Sequence, residues 1–426
     1  MFGGSGMANG PRSVVVVGAG IVGLSTAWFL QERGIDVTIV DRTGVAAGAS
    51  WGNAGWVSPA LTAPLNSPSV LREGVRALAD PAAPLHIPLR ADPALLRFMV
   101  RFAAHCRPAA WQRAVHANAV LNDEAMETFD VLVASGVDAP VTDTSLAAAF
   151  RDARQARRFL TELSHMSATG PRLESDMLTG AALHRQVPLA SVDVAAVVNV
   201  PGQRFVDPGR FTRALSRQVA ARGATLHIGE VSGVSRTQDR VLVERRGGEP
   251  LSADAAVLAT GAWLPALTGR RVRVGLQAGR GYSFTVPVDR PLPGPIYLPE
   301  ARVACTPYRG GLRVAGTMEF RRPGEPLSLR RVEAIIASAA PLLAGVRWDE
   351  RTDVWVGARP VTDDGMPLIG QLADGVYIAG GHGMWGLAHG PATGRLLAEQ
   401  IATGKQPEAA RPFDPLRGRR GTTSPL

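Results

Sequence analysis

Three glycines and an acid near the start of this chain have the spacing of a phosphate cradle: Gly18, Gly20 and Gly23 in Gly18-Ala19-Gly20-Ile21-Val22-Gly23, followed by Asp41. The first glycine permits a tight strand-to-helix turn, the second lets a pyrophosphate approach the backbone, and the third lets helix and strand pack closely. Unpaired N–H groups at the helix start, together with the positive end of the helix dipole, hold an anion without lysine or arginine. Asp41 sets a carboxylate where ribose hydroxyls donate, and that charge disfavours a 2′-phosphate. The chemistry implied is dinucleotide binding, with NADP disfavoured.

Other chemistry-bearing residues lie far from this unit. Arg359 sits in Gly357-Ala358-Arg359-Pro360, and His382 stands between Gly381 and Gly383. Gly48-Ala49-Ser50-Trp51-Gly52 matches GxSxG, the nucleophile elbow of serine hydrolases, but that motif needs a strand before it and a helix after it. Here a loop precedes it and Gly55, Pro59 and Pro64 follow, so hydrolysis is the weaker reading. The eight histidines are spread widely, and His382 with His389 lacks carboxylate partners at recognised spacing, so no metal site is expected.

The elements around these residues fall into α/β pieces. Val14 to Val17 and Val37 to Val40 read as buried strands, and Ile21, Leu24, Ala27, Trp28 and Leu30 follow helical spacing between them, with Gly34 closing the helix. Asp207-Pro208 opens a second helix carrying Phe211, Leu215 and Val219. Strands follow at Thr225 to Ile228, Val241 to Glu244, and Ala255 to Ala259, the last running into Thr260-Gly261. A third piece has a strand at Val376 to Ala379, the loop Gly380-Gly381-His382-Gly383, and a helix from about Pro391 to Ala402. Residues 66 to 190 read as mainly helical, with Asp92-Pro93 opening a helix whose Leu96, Met99, Phe102 and Ala103 share one face, and residues 271 to 354 hold strands such as Arg313 to Thr317.

Composition narrows the classes. At 426 residues with 46% hydrophobic content, more than one core can be buried. Cys106 and Cys305 offer neither a disulfide framework nor metal-ligand spacing. Nearly all of the net charge of +9 comes from arginine, and Lys405 is the sole lysine, which argues against pyridoxal phosphate chemistry and a Walker A site. The arginines are scattered, which fits a solvated surface better than nucleic-acid binding. No stretch reaches the ~18 uninterrupted apolar residues of a membrane span. A cytoplasmic protein is expected, with peripheral contact on the inner face of the cell membrane left open.

The choice between NAD and FAD turns on the residues after Asp41. A nicotinamide dehydrogenase continues with regular βαβ units, whereas this chain enters Gly48-Ala49-Ser50-Trp51-Gly52-Asn53-Ala54-Gly55-Trp56, small and backbone-exposing, which suits a long rigid cofactor. With the N-terminal fingerprint, the later Ala259-Thr260-Gly261 turn and the C-terminal glycine-rich loop, the chain resembles the FAD-dependent amino acid oxidase and dehydrogenase superfamily. Gly357 to Gly370, Gly381-His382-Gly383, Gly390 to Leu396, Arg280-Gly281-Tyr282-Ser283 and Arg313 to Phe320 look like its D-amino acid dehydrogenase branch.

The resemblance implies an α/β fold: a discontinuous Rossmann-like FAD-binding domain from residues 12–65, 190–270 and 355–410, with a second α+β substrate domain (mixed sheet plus helices) from 66–189 and 271–354 and flexible ends at 1–11 and 411–426. It assigns noncovalent FAD to Gly18, Gly20, Ile21, Val22, Gly23, Asp41, Arg42, Ala49, Ser50, Asn53, Ala54, Gly55, Val231, Thr260, Gly261, Trp263, Gly381, Gly383, Met384, Trp385 and Gly386. Arg359, His382 and Tyr282 are the candidate catalytic residues. An arginine placed like Arg359 pairs with the substrate carboxylate, a role its planar fork performs bidentately. Hydride transfer needs Cα–H over flavin N5, and a two-point clamp fixes that orientation. His382 either faces flavin or substrate or fixes its own loop; Tyr282, Tyr308 and Trp385 are pocket walls or ordinary core.

The activity implied is oxidative deamination of a D-amino acid to a 2-oxo acid and ammonia, with a quinone or other carrier, or oxygen, as acceptor. The alternative is oxidation of secondary or N-methylated amines or imino acids of the sarcosine, glycine or D-proline type. Where glycine and sarcosine oxidases carry a tyrosine this chain has Ala304 or Cys305, and Met384 and Trp385 stand where glycine oxidases place a second arginine. A flavoprotein that only carries electrons is the remaining rival, and the Arg359 cluster argues against it.

Overall fold

A valine-rich strand buried on both faces has to alternate its side chains between two cores, and Ser13–Val17 does so: Val14 and Val16 join one apolar cluster, Val15 and Val17 another. The computed structural model describes residues 10–77, 83–88, 92–166 and 175–418. Ser13–Val17 lies inside a six-stranded sheet ordered Leu368–Ala373, Val376–Gly380, Ala255–Leu258, Ser13–Val17, Asp36–Asp41, Thr225–Ile228. All neighbours pair in parallel except the Leu368–Ala373 hairpin. Helices Ile21–Gln31, Pro208–Ala221 and Gly386–Thr403 cover one face, and a three-stranded sheet of Val231–Arg236, Val241–Arg245 and Gly248–Ala253 covers the other.

Asp207 caps its helix by accepting the Arg210 N–H, as the Asp-Pro signal predicts. Helix Pro108–Ala134 adds Leu121, Phe129 and Leu132 to the helical face, with the Phe129 and Phe211 rings 4.9 Å apart. The last helix begins at Gly386, ahead of the expected Pro391, which stands inside it and has no N–H to donate to the Leu387 carbonyl one turn back. It packs against Ile21–Gln31 so closely that a Cβ at Gly394 would lie 2.7 Å from Ser25 C and Thr26 N.

The second sheet is mixed and ten-stranded. Its main path runs Thr352–Thr362, Leu276–Val286, Gly311–Phe320, Val303–Tyr308, Ile296–Leu298, Val141–Phe150, Ala196–Val206, Trp56–Val57, with Leu85–His86 and Asp176–Leu178 pairing alongside. Residues 66 to 190 are mainly helical as read, with strand Val141–Phe150 the chief exception: Leu146 to Ala149 are good helix formers, but this segment is buried and paired along Ala196–Val206, and tertiary pairing overrides propensity. The helix after Asp92 also turns another face inward, burying Leu95, Phe98 and Phe102 while Leu96 is 67% exposed.

Residues 411–418 depart from the expected flexible end. Phe413 is buried, and Arg417 holds Asp364 through Nε at 2.8 Å and Nη2 at 3.1 Å while also donating to the Pro367 and Met366 carbonyls. Residues 1–9 and 419–426 lie outside the described residues. No described helix is long and apolar enough to cross a membrane.

Candidate active site

The phosphate cradle is built by absent side chains. Gly18 takes φ +115°, and a Cβ there would lie 2.4 Å from the Ala259 carbonyl oxygen; one at Gly23 would lie 2.0 Å from the Gly18 oxygen. Gly20 begins helix Ile21–Gln31 with no side-chain cap, and Ser50 Oγ accepts the Ile21 N–H at 3.1 Å from a separate loop. The described partner of this hydroxyl is therefore a helix N–H, with neither a preceding strand nor a following helix to make a nucleophile elbow. Asp41 Oδ2 accepts the Ala19 N–H at 2.8 Å, and Oδ1 accepts those of Thr43 and Gly44 at 2.9 Å, so the acid is locked to the loop above it.

From here a cavity runs along the carboxyl ends of the parallel strands to Arg359 and His382. Gly18, Gly20, Ile21, Val22, Asp41, Arg42, Ala49, Ser50, Asn53, Val231, Thr260, Gly261, Trp263, Gly383, Met384 and Gly386 all line it. Arg42 stacks its guanidinium 4.5 Å from the Trp263 ring centre. Five expected residues are placed off the cavity. Gly23 serves packing under Gly18; Ala54 and Gly55 bond Thr306 Oγ1 and Val206 through their carbonyls; Gly381 would press a Cβ to 2.8 Å from Thr362; Trp385 turns its indole N–H to the Ala63 carbonyl at 2.8 Å. Glu230, Leu267 and Leu387 line the cavity without any motif to announce them, and Pro360 lines it from the motif that carries Arg359.

The loop along the cavity is fastened from the ten-stranded sheet. Arg313 Nη1 donates to the Trp51 carbonyl at 3.1 Å, Ser283 Oγ to that of Gly52 at 2.9 Å, and Thr306 Oγ1 to that of Ala54 at 2.7 Å. Arg313 is 1% exposed and stacks 4.0 Å from the Tyr308 ring, which makes Tyr308 core.

At the far end, Arg359 Nη1 donates to the Thr317 carbonyl at 3.0 Å. No carboxylate pairs with it among the described residues, and burial lowers its pKa to about 10, still charged at neutral pH. His382 bonds Thr393 Oγ1 through Nε2 at 2.8 Å, leaves Nδ1 without a partner among the described residues, and is pushed down to about 4 by burial. His389, bonded to Asn122 Oδ1 at 2.7 Å, falls to about 3 through burial and the nearby His382. Both imidazoles are neutral at pH 7. Tyr282 does not reach the cavity: it is fully buried and donates to Glu319 Oε2 at 2.7 Å, burial and that carboxylate raising it to about 12. Among the described residues no three His, Cys, Asp or Glu side chains cluster as metal ligands.

These residues fit FAD. The cavity offers a glycine-lined helix start for a pyrophosphate, a carboxylate for a ribose, and a second helix start beyond it. In that second helix the first bond is His389 N–H to the Trp385 carbonyl, so the N–H groups of Gly386 and Leu387 precede the first helical bond, and both residues line the cavity.

Comparison with known proteins agrees. The chain is 30% identical over 409 residues to a D-amino acid dehydrogenase of Xanthobacter autotrophicus, covering 93% of this chain and 96% of the relative. It is 28% identical over 407 residues to one of Azorhizobium caulinodans, covering 93% and 97%. Its fold matches glycine oxidase from Geobacillus kaustophilus with a TM-score of 0.70 at 20% identity, covering 96% and 99% of the two chains. It also matches iminodiacetate oxidase from Chelativorans sp. BNC1 with a TM-score of 0.68 at 20% identity, covering 94% and 98%. The FAD dependent oxidoreductase family model matches residues 13–400, and with cradle, cavity and fold in agreement the chain belongs to that family and is an FAD-dependent enzyme.

Proposed function

We propose that this enzyme oxidises a D-amino acid to its imine, which water hydrolyses to the 2-oxo acid and ammonia, and that a quinone or another carrier takes the electrons. The observation that carries this reading is Arg359, a charged guanidinium on the cavity with no carboxylate partner among the described residues. An unpaired buried charge is costly, and a substrate carboxylate bound by its planar fork offsets that cost. The relatives named D-amino acid dehydrogenase, matched over nearly their whole length, support the substrate class.

When bound, FAD supplies a ring that accepts hydride from the substrate α-carbon. Arg359 holds the carboxylate and so fixes how the α-carbon is presented. The amine lone pair forms the C=N bond as hydride leaves, so no side chain has to remove a proton from carbon. His382, neutral, presents Nδ1 without adding charge. The N–H groups of Gly386 and Leu387, at the positive end of their helix, favour negative charge developing on that side of the cavity. We assign FAD to residues 12–65, 190–270 and 355–410, and substrate cover to 66–189 and 271–354. Neither Cys106 nor Cys305 lines the cavity, which supports noncovalent attachment.

The test is anaerobic mixing of the purified holoenzyme with D-amino acids, L-amino acids and N-methyl amines, read as bleaching of the flavin absorbance. Bleaching by D-amino acids is expected. Bleaching by N-methyl amines alone would transfer the enzyme to secondary-amine oxidation.

A further inference from the structure

We infer that Gly281 and Thr317 form a seat that fixes the guanidinium of Arg359, and that both are positioning residues for recognition of the substrate carboxylate. The inference rests on the proposed role of Arg359. Strands Leu276–Val286 and Thr352–Thr362 run antiparallel with Gly279 opposite Arg359 and Gly281 opposite Gly357. A Cβ on Gly281 would lie 2.0 Å from Arg359 Cζ, 2.1 Å from Nη2 and 2.3 Å from Nη1. The guanidinium thus occupies the volume that any side chain at 281 would need.

Thr317 supplies the other half. Between Arg280 opposite Glu319 and Tyr282 opposite Gly316, the register shifts so that Thr317 and Met318 face the single residue Gly281. Such a bulge re-aims the backbone. Thr317 sits there at φ +59°, a left-handed conformation that a β-branched residue adopts only when its surroundings impose it. Its carbonyl accepts from Arg359 Nη1 at 3.0 Å. A bare strand on one side and one carbonyl at one corner hold the fork in place, and Arg359 borders the cavity with its other donors uncommitted to protein among the described residues.

The seat predicts that Gly281→Ala displaces the guanidinium by about an ångström, which costs on the order of 100-fold where geometry decides. The measurement is the Kd of benzoate, a simple carboxylate, read from the visible spectrum of bound FAD, with KM and kcat alongside. In Gly281→Ala, benzoate Kd and KM rise by about 10- to 100-fold while FAD content is unchanged, and in an Arg359→Ala background the same substitution changes Kd less than about twofold. A thermal destabilisation by Gly281→Ala that Arg359→Ala restores supports the seat equally. Unchanged Kd in Gly281→Ala, or an equal loss in both backgrounds, overturns it. Thr317→Gly keeps the carbonyl's conformation and retains affinity within a few-fold; a loss as large as that of Gly281→Ala would show that the Thr317 side chain acts, against the seat. Failure of the functional reading looks different: Arg359→Ala would then bind benzoate as well as the unaltered enzyme.

Discussion

His382 and Thr393 are joined through Nε2 and Oγ1 at 2.8 Å, which ties the glycine loop on the cavity to the buried side of the last helix. With no carboxylate beside it among the described residues, the ring is held neutral by burial, at about 4, and His389 at about 3. Unfolded, both histidines bind protons near 6.5, so below that pH the unfolded chain takes up protons that the folded chain refuses. Folding stability is then full above about 6.5 and is lost as pH falls toward 4, each histidine contributing a slope of about 1.4 kcal/mol per pH unit. Denaturant titrations between pH 7 and 4.5 check this. If His382→Gln with His389→Gln leaves the slope between pH 6.5 and 5 unchanged, the histidines are not its source.

Asp41 is expected to act on cofactor affinity through the loop it holds. Its two oxygens accept N–H groups from Ala19, Thr43 and Gly44. Asp41→Asn turns one of these acceptors into a donor facing another donor, and at this half-buried position such a mismatch costs up to about 1–3 kcal/mol. The FAD Kd, measured by titrating apoprotein, should rise by one to two orders of magnitude. An unchanged Kd would detach Asp41 from the site.

Gly23 lies off the cavity yet should matter as much to FAD. A Cβ there meets the Gly18 oxygen at 2.0 Å and the Ala259 side chain at 3.3 Å, both part of the tightest layer beneath the cradle. Gly23→Ala must push helix Ile21–Gln31 off its strand, an overpacking cost of about 1–3 kcal/mol. A lower melting temperature together with weaker FAD retention is expected. A variant that melts higher and binds FAD normally would show that the helix sits farther from its strand than this close approach requires.

Where the sequence was legible, the chemistry was local. Gly18, Gly20, Gly23 and Asp41 belong to a single strand–helix–strand unit whose periodicities are written along the chain, and all but Gly23 reach the cavity. Residues assigned by neighbourhood within a motif fared differently. Trp385 sits beside Met384, but only Met384 lines the cavity, because the last helix begins between Trp385 and Gly386 and turns the indole toward Ala63. Tyr282 is on a strand whose face depends on a bulge across from it, and no pattern in its own segment reports that bulge. Glu230 and Leu267 arrive through long-range packing of the three-stranded sheet and a short helix, which periodicity cannot register. The bulge at Thr317 and the bare backbone at Gly281 are legible only in three dimensions.

Arg359→Lys separates charge from shape at the far end of the cavity. Lysine keeps the positive charge but replaces a planar fork with a compact ammonium, so it loses one hydrogen bond to a carboxylate and the orientation that came with it. A hydrogen bond to a charged group contributes about 1.5–3 kcal/mol, which sets a fall in kcat/KM of roughly 10- to 150-fold. Most of that fall should appear in KM if the bond is equally strong before and during hydride loss, and in kcat if the fork chiefly sets the angle of the α-carbon. Arg359→Ala should fall further, because it leaves the substrate carboxylate with no cation at that end: the other charged residues on the cavity are Asp41, Arg42 and Glu230, beside the strand ends where the ribose and adenine are expected. Both variants should keep their FAD, since Arg359 lies beyond the cradle. Steady-state kinetics alongside the flavin spectrum test both points, and a lysine variant with unaltered kcat/KM would remove bidentate recognition from the mechanism.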